Sequence, residues 1–308
     1  MEEKTSLKFL DCSLRDGGYY TNWDFEPSFV EEYLSRMNQL PIDYIELGYR
    51  SIPKQGYLGA YFYCPDFILK QAAQISHKKL VIILNEKDIQ SSQLEELLRP
   101  CRGIISLVRI AIAPQRLDSV HDFVQKIKNM GFEVSLNVMY LSTWDKDASF
   151  LEGISALDGL LDYFYLVDSY GGMYPEEVRE KMAMVRSRIS VPLGFHAHNN
   201  LELALANTLT AIHSGINMVD STIIRQDEQD DDDPDCCFPA CAGCWRRWIP
   251  RACRRCPRNW ASTTRRRTCW PRRSSRSRRC WPATAASSRR VTTRNSTNCV
   301  VCPRTPTS

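Results

Sequence analysis

Two short stretches hold the residues best suited to chemistry. Leu10-Asp11-Cys12-Ser13-Leu14-Arg15-Asp16-Gly17-Gly18-Tyr19 sets a guanidinium beside a carboxylate and two glycines. Phe195-His196-Ala197-His198-Asn199-Asn200 sets two imidazoles two residues apart, and on a strand that spacing turns both to one face. Two imidazoles and a carboxylate can hold a divalent ion and still leave coordination positions for a substrate. A fixed guanidinium beside such an ion suits negative charge growing on a carbonyl oxygen, because arginine stays protonated and presents a rigid fork. Each stretch alone has a plainer reading. Arg15 and Asp16 make an ordinary ion pair beside a turn, and a single His-x-His is as often packing as ligation. Their joint placement at strand ends is what favours catalysis.

Positioning these groups requires a scaffold, and the chain up to about residue 222 supplies a repeating one. Short apolar or β-branched runs occur at Lys8–Cys12, Tyr44–Leu47, Leu80–Leu84, Ile104–Ile110, Glu133–Val138, Tyr163–Val167, Leu193–His198 and Met218–Thr222. Segments of helical period separate them, such as Pro27–Met37, with Phe29, Val30, Tyr33, Leu34 and Met37 on one stripe, and Pro175–Ser187, with proline at a first helical position. Eight strands alternating with helices predict an α/β fold, a (β/α)8 TIM barrel, whose active sites sit at the C-terminal ends of the strands. An open doubly wound sheet is the alternative, disfavoured because no glycine-rich dinucleotide loop follows the first run. In a barrel, strands one and seven are separated only by strand eight, which brings Asp16 towards His196 and His198. The barrel is expected to be incomplete after strand eight, where an eighth helix has no counterpart in the sequence.

Composition changes abruptly at that point. Residues 1–222 hold 21 Lys and Arg against 29 Asp and Glu, a net of −8, whereas 223–308 hold 19 Arg and 7 acids, a net of +12. The formal charge of +4 therefore describes neither part. Residues 1–222 read as a catalytic domain with three cysteines, in keeping with a reduced cytoplasmic setting. Neither a signal-peptide core nor an apolar run near the roughly 20 residues needed to span a bilayer is present, so no membrane partner is expected. Residues 223–308 lack Leu, Lys, Tyr and Met yet hold ten cysteines and five tryptophans. A zinc module would use Cys241 with Cys244 and Cys253 with Cys256, and a nucleic-acid-binding arm would use Arg265–Arg267 and Arg272–Arg279. We favour a third explanation, a shifted reading frame in GC-rich DNA, which turns leucine codons into Cys or Trp and alanine-rich stretches into Arg and Pro. On that reading the tail is non-native or disordered, and nucleic acid is not an expected partner.

Four motifs in register carry a family resemblance: Leu-Arg-Asp-Gly at strand one, Ile45-Glu46-Leu47-Gly48 at strand two, Asp168-Ser169-Tyr170-Gly171-Gly172 at strand six and His196-x-His198-Asn199 at strand seven. Residues 1–222 resemble the pyruvate carboxyltransferase-like, or DRE-TIM metallolyase, superfamily, which includes hydroxymethylglutaryl-CoA lyase. Arg-Asp-Gly-Gly-Tyr most resembles the 4-hydroxy-2-oxovalerate aldolase branch. The resemblance implies a divalent ion (Mn, Mg, Co or Zn) on Asp16, His196 and His198, with Arg15 stabilising an enolate oxygen. It implies a lyase that breaks or forms a carbon–carbon bond next to a 2-oxo acid, its small-molecule substrate. A homo-oligomer or an associated dehydrogenase is compatible with it.

The aldolases normally carry a histidine where this chain has Tyr19, and an unperturbed tyrosine is a poor base at neutrality, so Tyr19 or Tyr20 is expected to act as an acid or orienting donor, or else the substrate differs. Glu46 and Asp168 are expected to orient the catalytic arginine or a ligand histidine. Asn85, Arg109 and Asn137, also at strand ends, are candidates for contact with substrate or for support of those that make it. His77, His121 and His213 read as surface or packing residues. The alternatives are an acyl-CoA condensing transferase related to isopropylmalate and homocitrate synthases, or an inactive truncated product.

Overall fold

Runs that are apolar on both faces need cover on both sides, and the chain provides it by closing a parallel sheet on itself. In a computed structural model, which describes residues 6–146 and 148–223, eight strands form a closed barrel in the order β1 to β8. They are β1 Lys8–Asp11, β2 Tyr44–Tyr49, β3 Lys79–Asn85, β4 Ile105–Ile112, β5 Glu133–Val138, β6 Tyr163–Asp168, β7 Leu193–Ala197 and β8 Met218–Ser221. The seam is parallel, with Lys8 opposite Met218 and Asp11 opposite Ser221. That closure rules out the open doubly wound sheet and bears out the barrel. β5 keeps its expected limits and the other strand limits differ by at most two residues, β2 and β4 running further and β1, β7 and β8 stopping one residue sooner.

Every connection between strands carries at least one α-helix. They are α1 Ser13–Thr21, α2 Pro27–Met37, α3 Ala60–Tyr63, α4 Asp66–Ile75, α5 Leu94–Leu98, α6 Val120–Asn129, α7 Ala148–Gly153, α8 Pro175–Arg186 and α9 Ala204–His213. In α6 the buried residues Val120, Phe123, Val124 and Ile127 recur at the three- and four-residue spacing of one helical face. Helix α8 starts on Pro175 with a capping box between Tyr174 and Glu177. The larger apolar core lies between the helices and the outer strand faces. A smaller cluster of strand residues and Cys12, including Leu10, Tyr44, Leu107, Tyr165 and Met218, fills the lumen. No helix among the described residues is long and apolar enough to cross a membrane. Residues 224–308, with their cysteine pairs and arginine clusters, lie outside the described residues.

One local element differs from the sequence reading. Gly17 and Gly18 sit inside α1 rather than in a turn, so Arg15 and Asp16 occupy its opening residues. Ser13 anchors this helix by donating its backbone N–H to Asp11 Oδ1 (2.9 Å), and Trp23 Nε1 donates to the Arg15 carbonyl (2.9 Å). A side chain at Gly18 would collide with the Trp23 ring, its Cβ falling 2.0 Å from the nearest ring atom. Glycine there lets tryptophan lock the helix that carries the chemistry.

Candidate active site

Alternation along the strands decides which side chains face the lumen. Tyr44 and Glu46, Leu107 and Arg109, Ser135 and Asn137, Gly194 and His196, and Met218 and Asp220 are pairs two residues apart on one face, with the polar member nearer the C-terminal end. The lumen therefore changes from apolar to charged along its axis. Arg15 Nε donates to Glu46 Oε2 at 3.0 Å, and the same oxygen accepts from Arg109 Nη1 at 3.1 Å. Arg109 Nη2 donates to Asp220 Oδ2 at 2.7 Å, and that oxygen also meets His196 Nδ1 at 2.7 Å. Arg15 is further paired with Asp16. An unbroken run of alternating charges thus passes from Arg15 through Glu46 and Arg109 to Asp220 and ends on the His196 ring, nearly all of it buried.

The charged states follow from these contacts. Burial pushes the Asp16 carboxyl up, but Arg15 and His196 outweigh it and hold the group below the usual carboxylate range. Asp220 behaves the same way, burial being overcome by Arg109 and His196. Both arginines are held above their ordinary value, since Asp16 and Glu46 around Arg15, and Asp220 and Glu46 around Arg109, outweigh burial. Burial raises the Asp168 carboxyl.

His196 and His198 line one cavity of about 330 Å³ at the C-terminal end of the barrel, their ring centres 4.9 Å apart. His198 Nδ1 lies 2.8 Å from the carbonyl oxygen of Asp168. A carbonyl and a carboxylate can only accept, so both rings present an N–H at Nδ1 and turn Nε2 away from these partners. Burial, followed by His196, lowers His198 to about 4, so it is neutral near pH 7. Gly171 holds the loop after β6 against it with φ +55°, and a Cβ there would fall 2.8 Å from the His198 carbonyl carbon.

These residues suit a divalent cation. The lumen gathers three carboxylates, on Asp16, Glu46 and Asp220, against two guanidiniums. The two histidines are oriented through Nδ1 by groups behind them, the support that ligand histidines commonly have. Asp16 Oδ1 is buried and accepts no hydrogen bond, although it faces Arg15 as an ion pair. One ligand atom each from Cys12, Asp16 and His196 lie within 4.8 Å of one another.

The other expected residues divide. Arg15, Tyr19 and Asn137 line the cavity with the histidines, whereas Glu46 and Arg109 lie beneath it, fully buried. Glu46 orients Arg15, as expected, and Asp168 orients His198 through its backbone carbonyl rather than its carboxylate. Asn85, at the end of β3, is not among the lining residues. Asp220 and Cys12 were missed, although an acid two residues after Met218 in an apolar strand is a signal for a lumen-facing carboxylate. The aromatic wall was missed too. Tyr49 shares a 2.9 Å hydroxyl contact with Tyr19, and the Tyr140 and Tyr170 rings meet at 5.5 Å. Tyr140 adopts φ +62°, held by a 2.9 Å bond from its N–H to Ser169 Oγ.

Comparison with known proteins agrees with this geometry. A family model described as HMGL-like matches residues 107–225. The crystal structure of the N-terminal domain of a candidate aldolase from Bacteroides vulgatus is 49% identical, with a TM-score of 0.69, over 70% of this chain and 73% of that one. Among curated relatives, a 4-hydroxy-2-oxovalerate aldolase from Pelotomaculum thermopropionicum is 28% identical over 70% of this chain. An oxaloacetate decarboxylase from Mycobacterium tuberculosis is 26% identical, also over 70% of this chain. The match spans only 64% and 63% of those two relatives. The carboxyl transferase domain of Rhizobium etli pyruvate carboxylase, at 14% identity and a TM-score of 0.60, shares the fold.

Proposed function

Because this chain belongs to the HMGL-like family, we propose that its barrel is a divalent-metal-dependent lyase that breaks the C3–C4 bond of a 4-hydroxy-2-oxo acid, releasing pyruvate and an aldehyde. The observation that carries this reading is Arg15, held by Asp16 and Glu46 and facing the same cavity as His196 and His198. Asp16, His196 and His198 would hold the ion, which when bound polarises the 2-oxo group as a Lewis acid. Breaking the bond leaves an enolate, and its negative charge appears only as the reaction proceeds. Arg15 is fixed in advance at that oxygen, so its contact strengthens towards the transition state. The Glu46–Arg109–Asp220 chain keeps Arg15 and His196 in mutual register. Tyr49 retains its proton because burial and then Tyr19 push it well above its ordinary value. The Tyr19–Tyr49 hydroxyl pair can accept a proton from the C4 hydroxyl while exposed Tyr19 gives one up to solvent, so it serves as a relay rather than a strong base.

The names of the relatives support the same intermediate. Cleavage of a 4-hydroxy-2-oxo acid and decarboxylation of oxaloacetate both leave the enolate of pyruvate, so decarboxylation is the second reading. The acyl-CoA condensing alternative draws no support from these relatives. The test is pyruvate release from 4-hydroxy-2-oxo acids by chelator-treated protein, with and without added Mn²⁺. Activity that depends on the ion is expected. Equal activity without it, or unchanged metal content in a His196→Ala, His198→Ala double variant, would sink the assignment.

A further inference from the structure

The ligand cluster contains one group that the proposed reaction leaves unused, a thiol. Cys12 follows β1 directly, is 1% exposed and belongs to the lumen cluster, where it lies next to the charged layer. Its Sγ lies 3.0 Å from Asp16 Oδ2 and 3.4 Å from the Ser221 carbonyl oxygen. A thiol has one proton to offer, so of two facing oxygens one must meet sulfur lone pairs. Within 4.8 Å, sulfur, carboxylate oxygen and imidazole nitrogen converge, three atoms each able to give a lone pair to one ion. A cation resolves that convergence better than a proton does, because it can be shared by all three.

We propose that Cys12 is a further protein ligand to the ion held by Asp16, His196 and His198, and that the site therefore selects a borderline cation such as Zn²⁺ or Co²⁺ over Mg²⁺. The proposal rests on the metal reading given above. The balance is simple: the ion takes the place of the thiol proton, a sulfur–metal bond forms, and the proton leaves to solvent with no change of oxidation state. Thiolate is a soft ligand that suits zinc and cobalt, while magnesium takes oxygen ligands and keeps its waters. Zinc can expand to five-coordination, so a fourth protein ligand leaves room for a substrate oxygen.

Cobalt reports its own ligands. Metal-free full-length chain titrated with Co²⁺ should develop a thiolate-to-cobalt charge-transfer band in the near ultraviolet, beside weaker visible bands. Cys12→Ser should lose that near-ultraviolet component and keep visible bands. The ten cysteines between Cys236 and Cys302 contribute equally to both proteins, so the wild-type minus variant difference is what decides. Zn²⁺ and Co²⁺ affinities should fall by about tenfold or more in the variant, with Mn²⁺ and Mg²⁺ affinities nearly unchanged. Cys12→Thr provides a second oxygen-bearing variant, and circular dichroism checks that each folds. If Co²⁺ binds and the difference spectrum lacks the thiolate band, Cys12 is only a hydrogen-bond donor to Asp16 and this proposal falls while the metal reading stands. If Co²⁺ does not bind the wild-type chain, both fall together.

Discussion

The two ends of the barrel carry similar chemical groups in opposite surroundings. At the N-terminal end Lys79 pairs with Glu133 at 2.7 Å, Tyr44 donates to Glu133 at 2.9 Å, and Lys8 donates to Tyr163 at 2.7 Å. Lys79 and Glu133 are 49% and 33% exposed, so water screens them. At the C-terminal end Glu46 and Arg109 are fully buried and Asp220 nearly so. Exposed ion pairs add little to stability, whereas breaking a buried one strands a charge in a low-dielectric interior. The same residue types therefore close one end and make the other a site, and the difference lies in solvent access.

Substitutions can break or sharpen that contrast. The largest effect is expected from Arg109→Leu, which leaves buried Asp220 without its guanidinium and Glu46 with Arg15 alone. Chemical denaturation should show a loss of about 3–5 kcal/mol. Arg15→Ala should lower kcat by about two to three orders of magnitude, the scale of one lost oxyanion donor. A rise in KM with kcat intact would make Arg15 a substrate clamp instead.

Asp11 sits at the same end but on the outer face, where Tyr33 and the Ser13 N–H contact it. Burial, opposed by Tyr33, raises it from 3.8 to about 6. A raised carboxyl favours the protonated folded state, so its stabilising contribution is full below about pH 4 and lost as pH rises through about 6. Asp11→Asn should remove that slope, on the order of 3 kcal/mol, from stability measured across this window. Asp220→Asn should weaken metal binding by about 10- to 100-fold, as measured by calorimetry, because His196 loses the carboxylate that fixes its proton on Nδ1. At the opposite end, Glu133→Gln should change stability by less than about 1 kcal/mol and leave metal affinity untouched. A large effect there would erase the distinction between the two ends.

The barrel was legible because buried parallel strands leave continuous apolar runs, and helices such as Pro27–Met37 carry both a stripe and an opening proline. The histidine pair and the Arg15–Asp16 step were legible because strand alternation and strand ends restrict where such side chains point. What stayed hidden depends on partners across the lumen. Asp220 reads locally as one acid in a short strand, and only closure of the barrel sets it between Arg109 and His196. For Arg109 the sequence left open contact with substrate or support of other residues, and Glu46, Asp220 and Asn137 draw it beneath the cavity. The helix through Gly17 and Gly18 was not legible either, because what favours glycine at 18 is the Trp23 ring, packed where a side chain there would be.

The pairing of the first strand with the last also sets an order of events in folding. The hydrogen bond from the Cys12 backbone N–H to the Ser221 carbonyl joins residues 209 positions apart. Loop closure over such a distance is entropically demanding, and folds dominated by distant pairings form slowly. Seven strands can assemble by adding neighbours, but until Met218–Ser221 docks, β1 and β7 both present open edges and Arg109 lacks Asp220. The buried charge chain is thus completed in the same step that removes the last sticky edge. A partly built barrel would be both unreactive and prone to self-association.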